Sequence, residues 1–372
     1  MSPAHVESAR ALLGRNLDWQ LLFSTALLQG VMPLLHKNLT ALGPSLCPPD
    51  FLAALREAYL PNVAHSLRMT AELKKVLGLF DAHGIPALPF KGPVLAAYAY
   101  GDVALRQYGD LDLLVPHSEL ERAVDVLRAR GYNPVESMTA RQQRAHVRRK
   151  SQLGFADPTG PFVIELHWRF SPPSRAGEPD PQAVFARQTR CNVEGESLPS
   201  LAPDDLLLYL CLHGALHLWA KLNLICDVAQ LLGTREDWNW PELLRQADQT
   251  DLRRVLLLGL ALASDVLEAK LPPEVTRSIA SDESVEAIGA QVREKLFDPQ
   301  GAGPGLADVG PFLLRLRSHK RSRVLAILEV LFVPSLADWK FVHLPDALFP
   351  LYYLVRPFRL ASDALSRRQR RE

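Results

Sequence analysis

An alternation of acidic and apolar residues constrains this chain more than any other feature. Residues 108–115 read Tyr-Gly-Asp-Leu-Asp-Leu-Leu-Val. Successive side chains of a β-strand point to opposite faces, so Asp110 and Asp112 would share one face, roughly 6–7 Å apart. Leu111 and Leu113 would face a core. Two such carboxylates are costly to hold together unless a cation lies between them, and hard oxygen ligands suit Mg²⁺. The alternative is an exposed acidic edge strand.

The segment before this strand has the features of a phosphate-binding turn. Residues 85–90 predict a short apolar strand, which its two prolines confine to an edge or to the strand ends. Lys91-Gly92-Pro93 then forms a turn, and residues 94–100 favour a helix with Pro93 at its first position. A glycine lets backbone N–H groups approach a phosphate, and Lys91 adds a point charge.

Arg106 lies between this turn and the acidic strand. A guanidinium offers a bidentate fork that suits phosphate oxygens, which makes Arg106 a third candidate for nucleotide binding. An ion pair with Asp110 or Asp112 is the competing interpretation.

A third carboxylate lies on a later predicted strand, residues 161–170. By period two, Glu165 and His167 share one of its faces. Residues 152–156 could be its hairpin partner, which would bring Glu165 into the same sheet as the aspartates. His167 could touch substrate, orient Glu165 or make a structural hydrogen bond.

These motifs together resemble a known family. Phe90-Lys-Gly-Pro, Arg106, Asp110-Leu-Asp-Leu-Leu-Val and Glu165-Leu-His-Trp are similar to a bacterial family of uncharacterised nucleotidyltransferases. That family lies in the superfamily of DNA polymerase β and the kanamycin nucleotidyltransferases. The resemblance covers most of the chain, with its specific motifs between residues 90 and 168. The turn departs from the wider superfamily, which usually has Gly-Gly or Gly-Ser where this chain has Lys-Gly-Pro.

The resemblance implies a function and a cofactor. Asp110, Asp112 and Glu165 would be catalytic residues that hold Mg²⁺ (or Mn²⁺). The enzyme would bind an NTP such as ATP and move its NMP group to a hydroxyl acceptor, which could be a small molecule, a sugar, a peptide or an RNA end. Phosphoryl transfer is a less favoured reaction. The alternatives are a non-catalytic nucleotide-binding or scaffold protein that retains the fold, and an RNA-modifying or toxin-like transferase.

A helical pattern at residues 206–232 carries further polar candidates. His213 and His217 are spaced i, i+4, which could bind zinc, but no HExxH pattern or third ligand accompanies them. The resembling family has a similar helix bearing His and Asp, which implies that His213, His217, Lys221 and Asp227 contact nucleotide or acceptor. A polar face between helices is the competing interpretation.

The remaining sequence predicts an α+β fold around a small mixed sheet. We expect a helical segment at 1–84 (with helices at 51–59 and 62–83), an α/β core at 85–200, a helical domain at 201–297 and a helical extension at 298–372. Residues 171–200 are predicted to be a loop. The apolar stretch 313–365 and its arginines could lie on a membrane surface, although packed helices are favoured.

Charge and cysteine usage limit the partners and the compartment. The formal net charge is +1, so nucleic acid is possible but not favoured as a partner. The basic run at 141–150 could grip an anionic acceptor or be a solvated helix face. The four cysteines lack CxxC spacing, which favours free thiols in a reducing compartment. Without a signal peptide pattern or an apolar run of about 18 residues, we expect a cytoplasmic protein without a transmembrane segment.

Overall fold

The fold is α+β, with a small mixed sheet enclosed by helices. The computed structural model describes residues 3–157, 160, 162–171, 181–296 and 306–369. All four cysteines are buried free thiols, as the sequence predicts. In the ranges described, no helix combines the length and the apolar character that a membrane crossing demands.

Four helices precede the sheet: α1 (Pro3–Leu13), α2 (Trp19–Leu28), α3 (Met32–Leu42) and α4 (Pro49–Ala82). The prediction of two separate helices at 51–59 and 62–83 is wrong, because α4 continues through Pro61. Pro61 lies on the exposed side of α4. There, water can hydrate the backbone carbonyl that loses its hydrogen bond to the missing N–H.

Five strands form the central sheet in the order β1-β2-β5-β4-β3. The predicted strands, including the edge strand and the hairpin at 152–156, are confirmed, and a two-residue strand, β3, joins them. The elements in chain order are β1 (Leu88–Pro89), α5 (Gly92–Leu95, continued by a π-helical turn at Ala96–Tyr100), β2 (Asp110–Leu114), α6 (Leu120–Ala129), β3 (Asn133–Pro134), α7 (Ala140–Arg149), β4 (Gln152–Ala156) and β5 (Val163–His167).

The two faces of the sheet meet different cores. Leu111 and Leu113 of β2 pack with Ile164 and Leu166 of β5 against residues of α4 and α6. On the other face, Leu114 joins a core built mainly from the later helices. The acidic side chains of β2 share this second face by alternation, so they lie on the side of the sheet that the later helices cover.

The prediction of a loop at 171–200 is wrong for its second half. A short helix α8 (Pro181–Ala186) is followed by the antiparallel hairpin of β6 (Thr189–Val193) and β7 (Glu196–Ser200). Glu194 and Gly195 connect the strands with φ of 48° and 78°. Two positive φ values are those of a two-residue hairpin turn, which a glycine favours. Residues 172–180 lie outside the described part of the chain.

Helices make up most of the described chain after β7. They are α9 (Pro203–Leu216), α10 (Leu222–Leu232), α11 (Trp240–Gln249), α12 (Arg253–Leu267), α13 (Pro273–Ala280), α14 (Glu283–Leu296), α15 (Leu306–Leu316), α16 (Lys320–Phe332), α17 (Leu336–Phe341) and α18 (Tyr352–Gln369).

The predicted continuous helical pattern at 206–232 is interrupted. Leu218 and Trp219 between α9 and α10 have φ of 58° and 53°, outside the helical region. The Trp219 ring is fully buried against Gly214, where an added Cβ would lie 2.4 Å from it. Burying this ring offsets the strained turn that ends α9.

The last helices contact the α/β core through α7. Trp339, Phe349 and Tyr352 form a cluster to which Met138 and Ala145 contribute. Beyond this cluster α18 exposes Leu354 and Phe358. The predicted four-part division of the chain stays a prediction.

Candidate active site

The pairing of β2 with β5 assembles the acidic residues. These strands are parallel, and Asp112 lies directly opposite Glu165 while Leu114 lies opposite His167. Residues paired in this way point to the same face of a sheet. The Asp112, Glu165 and His167 side chains therefore meet on the face covered by the later helices.

Asp112 is the buried centre of this group. Its Oδ1 accepts hydrogen bonds from Lys91 Nζ at 2.9 Å and from His167 Nε2 at 3.1 Å. Burial by itself would raise the pKa of Asp112, but the Lys91 ammonium and the His167 hydrogen bond hold that pKa well below its ordinary value. Asp112 is therefore a carboxylate at neutral pH, stabilised by two cationic or donating neighbours.

Glu165 and His167 border Asp112 on β5. The Glu165 side chain is 25% exposed, and its Oε2 lies 3.5 Å from His167 Nε2. Burial would lower the pKa of His167, but its hydrogen bonds to Asp112 and Glu165 raise the pKa overall. Glu165 thus lies beside the buried Asp112 and is itself reached by solvent. A residue that contacts an incoming substrate must be accessible in this way.

Asp110 begins β2 and is half-buried. Burial and then the negative charge of Asp112 raise the pKa of Asp110. Among the described residues, the metal-type grouping with ligand atoms all within 4.8 Å of one another consists of Asp112, Glu165 and His167. Asp110 lies outside it. The sequence anticipates the two carboxylates of this group, and it gives His167 as a possible contact to substrate, a residue that orients Glu165 or a structural hydrogen bond, but not as a member of a metal-type grouping.

The Lys91-Gly92 turn approaches the aspartates closely. Gly92 has φ of +55°, and a Cβ added there would lie 3.3 Å from the backbone oxygen of Asp110. Both the conformation and the approach favour glycine. Lys91 is almost fully buried. Burial would lower the pKa of Lys91, but the Asp112 carboxylate raises it well above the ordinary value, so the ammonium keeps its charge.

Arg106 is engaged elsewhere in the structure. Its Nε and Nη2 donate to the two oxygens of Asp227 at 2.8 and 2.9 Å, and Tyr100 Oη donates to the same carboxylate at 2.6 Å. The ion pair is thus with Asp227 of α10, whereas the sequence interpretation considered Asp110 or Asp112. This ion pair joins the region before β2 to α10.

The helix α9 covers the site with aromatic and imidazole rings. Tyr209 packs edge-on against Phe90 at 4.8 Å and stacks on His213 at 5.8 Å, and His213 contacts His217 at 4.5 Å. Burial and the Lys91 charge hold the pKa of His213 well below its ordinary value, and the same causes lower the pKa of His217. Tyr209 is absent from the sequence predictions, because it sits within an apolar run typical of core helices.

The remaining candidates from the sequence are Lys221 and a zinc site at His213 and His217. Lys221 is exposed and forms the N-terminal cap position of α10. His213 and His217 are not part of the metal-type grouping found among the described residues, so nothing in that part of the chain supports the zinc alternative.

The basic helix α7 is partly occupied by the last helices. Arg141 donates to the backbone oxygen of Asp346, and Arg149 donates to Tyr353 Oη at 2.7 Å. Arg144 and Arg148 instead line a cleft of about 470 Å³ between α6 and α7. The run is therefore neither a continuous anion-binding strip nor a wholly solvated face.

The donor set fits a divalent metal ion. Asp112 Oδ2 is buried and has no hydrogen-bond partner among the described residues. Buried carboxylate oxygens normally have a partner, so this atom is suited to a cation. Asp112 and Glu165 supply hard oxygens and His167 supplies a nitrogen, all within 4.8 Å.

Comparisons with known proteins give the family. A family profile described as "Uncharacterised nucleotidyltransferase" matches residues 15–268. No curated protein matches the chain.

Two solved structures are similar at low level. The antibiotic-resistance factor ANT(2'')-Ia is 12% identical with a TM-score of 0.27, covering 61% of this chain and 93% of its own. An antigenic nucleotidyltransferase-like protein from Paracoccidioides brasiliensis is 15% identical with a TM-score of 0.31, covering 55% of this chain and 93% of its own. The assignment does not depend on either.

The matched region contains every predicted site residue, from Lys91 to Asp227. Since the profile spans residues 15–268 of a 372-residue chain, the protein belongs to the uncharacterised nucleotidyltransferase family and is a transferase.

Proposed function

We propose that this protein transfers an NMP group from an NTP to a hydroxyl acceptor with the help of Mg²⁺ or a related divalent ion. The observation that carries the proposal is the parallel register that sets Asp112 against Glu165, with the Lys91 ammonium 2.9 Å from Asp112. This is the arrangement of charges that a triphosphate and its metal ions need.

In the proposed reaction, the acceptor oxygen attacks the α-phosphorus of the NTP. The new bond joins that oxygen to phosphorus, the bond to the β-phosphate oxygen breaks, and pyrophosphate leaves. Bound divalent ions would neutralise phosphate charge and lower the pKa of the attacking hydroxyl. Asp110, Asp112 and Glu165 are the side chains that would hold these ions.

The chain's own residues have distinct roles in this scheme. Lys91 keeps a permanent positive charge beside Asp112 Oδ1, where its field would stabilise bound phosphates without the ammonium leaving the carboxylate. Gly92 gives its neighbouring backbone room to approach them. Glu165 reaches solvent and accepts the acceptor's proton. His217 follows the end of α9 and Lys221 precedes α10, and both are exposed at this connection, where an acceptor would enter.

We assign Arg106 and Asp227 to positioning in this proposal. Arg106 would have to leave two hydrogen bonds to Asp227 to reach a phosphate, and it is almost fully buried. As a positioning residue, Arg106 holds α10 against the region before β2 and keeps both hydrogen bonds to Asp227. His213 lies beneath His217 and supports it.

The test is incubation of the full chain with each NTP labelled at the α-phosphate, with Mg²⁺ or Mn²⁺, and with candidate acceptors. We expect pyrophosphate release and transfer of the α-label. Asp112→Asn and Glu165→Gln should each lower the rate by at least about 100-fold, since each removes preorganised charge at the reacting phosphate. Asp125→Asn on the exposed side of α6 is the matched control.

Each other outcome selects a different function. Transfer of a γ-label would mean phosphoryl transfer, and label found only on RNA would mean an RNA-modifying enzyme. Nucleotide binding without pyrophosphate release would favour the non-catalytic alternative. Full activity in Asp112→Asn would remove the mechanism.

A further inference from the structure

The metal-type grouping contains an imidazole as well as carboxylates. His167 is 2% exposed, and its Nε2 lies 3.1 Å from Asp112 Oδ1 and 3.5 Å from Glu165 Oε2. One ring nitrogen therefore faces two of the three carboxylates that the proposed function assigns to metal binding.

The three side chains offer ligand atoms that all lie within 4.8 Å of one another, which is close enough for them to share one ion. Ligand atoms about 2.0–2.2 Å from a divalent ion, at right or tetrahedral angles, lie about 2.8–3.6 Å apart. Both measured distances fall in that range. In the structure Nε2 donates its hydrogen to Asp112 Oδ1. A bound ion would replace that hydrogen, and the neutral ring would then carry its hydrogen on Nδ1.

A second observation points to a cation at the same place. Asp112 is 2% exposed, and its Oδ2 has no hydrogen-bond partner among the described residues. Lys91 and His167 both approach Oδ1, so Oδ2 retains its capacity to bind an ion.

We propose that His167 is a ligand of the divalent ion and that the resulting nitrogen and oxygen ligand set favours a first-row transition ion over Mg²⁺. This inference rests on the proposed function for the place of the ion, but concerns its identity. Carboxylates suit Mg²⁺ and Mn²⁺ alike, whereas imidazole suits transition ions. Mg²⁺ also dehydrates reluctantly and rarely takes a dedicated all-protein site. One imidazole beside two carboxylates therefore shifts the metal preference of the site from Mg²⁺ toward a first-row transition ion.

The test uses the full chain with Mn²⁺ alone, without nucleotide. Electron spin-echo envelope modulation should show a directly bound nitrogen in the wild type. Labelling the histidines with ¹⁵N should change that modulation, and His167→Asn should remove it. His117→Asn, which changes an exposed histidine beyond β2, should retain it.

Affinity measurements complete the test. By titration calorimetry, His167→Asn should weaken Mn²⁺ binding by at least about tenfold, while Mg²⁺ affinity changes by less than about threefold. The inference is overturned by wild-type protein that binds no Mn²⁺, by bound Mn²⁺ without nitrogen modulation, by modulation that survives His167→Asn, or by equal loss of both ions. If His167→Asn does not fold, the labelled wild-type spectrum still decides whether histidine binds the ion.

This experiment separates the two proposals. Nitrogen-bound Mn²⁺ in a protein that never releases pyrophosphate would support the ligand assignment and contradict the transferase mechanism. Pyrophosphate release with a wild-type spectrum lacking nitrogen would do the reverse.

Discussion

Lys91 and Asp112 form a buried pair whose strength can be measured apart from catalysis. Removing one partner of a buried ion pair leaves the other charge uncompensated and costs about 3–5 kcal/mol. We expect Lys91→Met and Asp112→Asn each to lower the free energy of unfolding by about that much. The double variant should lose about 1–3 kcal/mol less than the sum, because neither orphaned charge remains.

Urea denaturation in the presence of EDTA measures all three variants without interference from metal. Asp125→Asn, on the exposed side of α6, serves as the control and should stay within about 0.5 kcal/mol of wild type. Additive losses in the double variant would show that the 2.9 Å contact contributes no coupling.

His213 gives a prediction for pH. Its pKa is held well below the ordinary value by burial and the Lys91 charge. The unfolded chain takes up a proton near pH 6.5 that the folded chain does not, so this residue makes stability fall as the pH drops below about 6.5. His213→Gln should reduce the slope of unfolding free energy against pH, between about pH 5 and 6.5, by up to about 1.4 kcal/mol per unit.

Urea denaturation at several pH values measures that slope. His117→Gln changes an exposed histidine in the same chain and should leave most of the slope in place. Equal slopes in wild type and His213→Gln would mean that the His213 ring protonates as readily in the fold as outside it.

At the scale of elements, Arg106 and Asp227 connect the region before β2 to α10. Both side chains are buried, and their two hydrogen bonds are 2.8 and 2.9 Å long. Asp227→Asn should lower the free energy of unfolding by about 3–5 kcal/mol, because a buried guanidinium then lacks its carboxylate. Tyr100→Phe removes one hydrogen bond to the same carboxylate and should cost only about 0.5–1.5 kcal/mol.

Thermal and urea unfolding rank these two variants. A loss in Asp227→Asn no larger than in Tyr100→Phe would contradict a clamping role for the ion pair. The outcome would then favour Arg106 as a residue held ready for phosphate.

The local elements were largely predictable, because each depends on short-range patterns. Alternation places Asp112 and Glu165 on strands, and a glycine turn with proline precedes a helix. The failures occur where packing overrides a local signal. Pro61 does not end α4, and the buried Trp219 ring interrupts a strongly helical pattern. The Glu194-Gly195 turn was a usable hairpin signal that the charged composition of its surroundings obscured.

At the scale of the whole molecule, the site depends on contacts between distant parts of the chain. Arg106 and Asp227 are 121 residues apart, and His167 lies 55 residues from Asp112, with which it makes a hydrogen bond. Periodicity gives the face on which a side chain lies, but not the strand register or the helix that packs above it. For that reason the sequence supplies the carboxylates and a possible contact of His167 with Glu165, but neither the His167 contact with Asp112 nor the packing of Tyr209 over the site.

The last helices give a prediction about how the molecule holds together outside the family match, which ends at residue 268. The Tyr353 hydroxyl accepts a hydrogen bond from Arg149, and its ring lies 5.4 Å from that guanidinium. Together these contacts should contribute about 1–2 kcal/mol. Tyr353→Ala should therefore speed amide hydrogen exchange in α17 and α18 by about 5–30-fold, with β2 and β5 unaffected.

Hydrogen-exchange mass spectrometry of the full chain compares these regions in one experiment. Tyr353→Phe retains the ring over which Arg149 lies and loses only the hydroxyl, so its exchange should fall between wild type and Tyr353→Ala. Equal protection of α18 in all three proteins would show that other contacts, such as Thr139 with Asp346 at 2.7 Å, hold the extension on α7. Faster exchange in β2 as well would mean that the extension also stabilises the strand that carries Asp112.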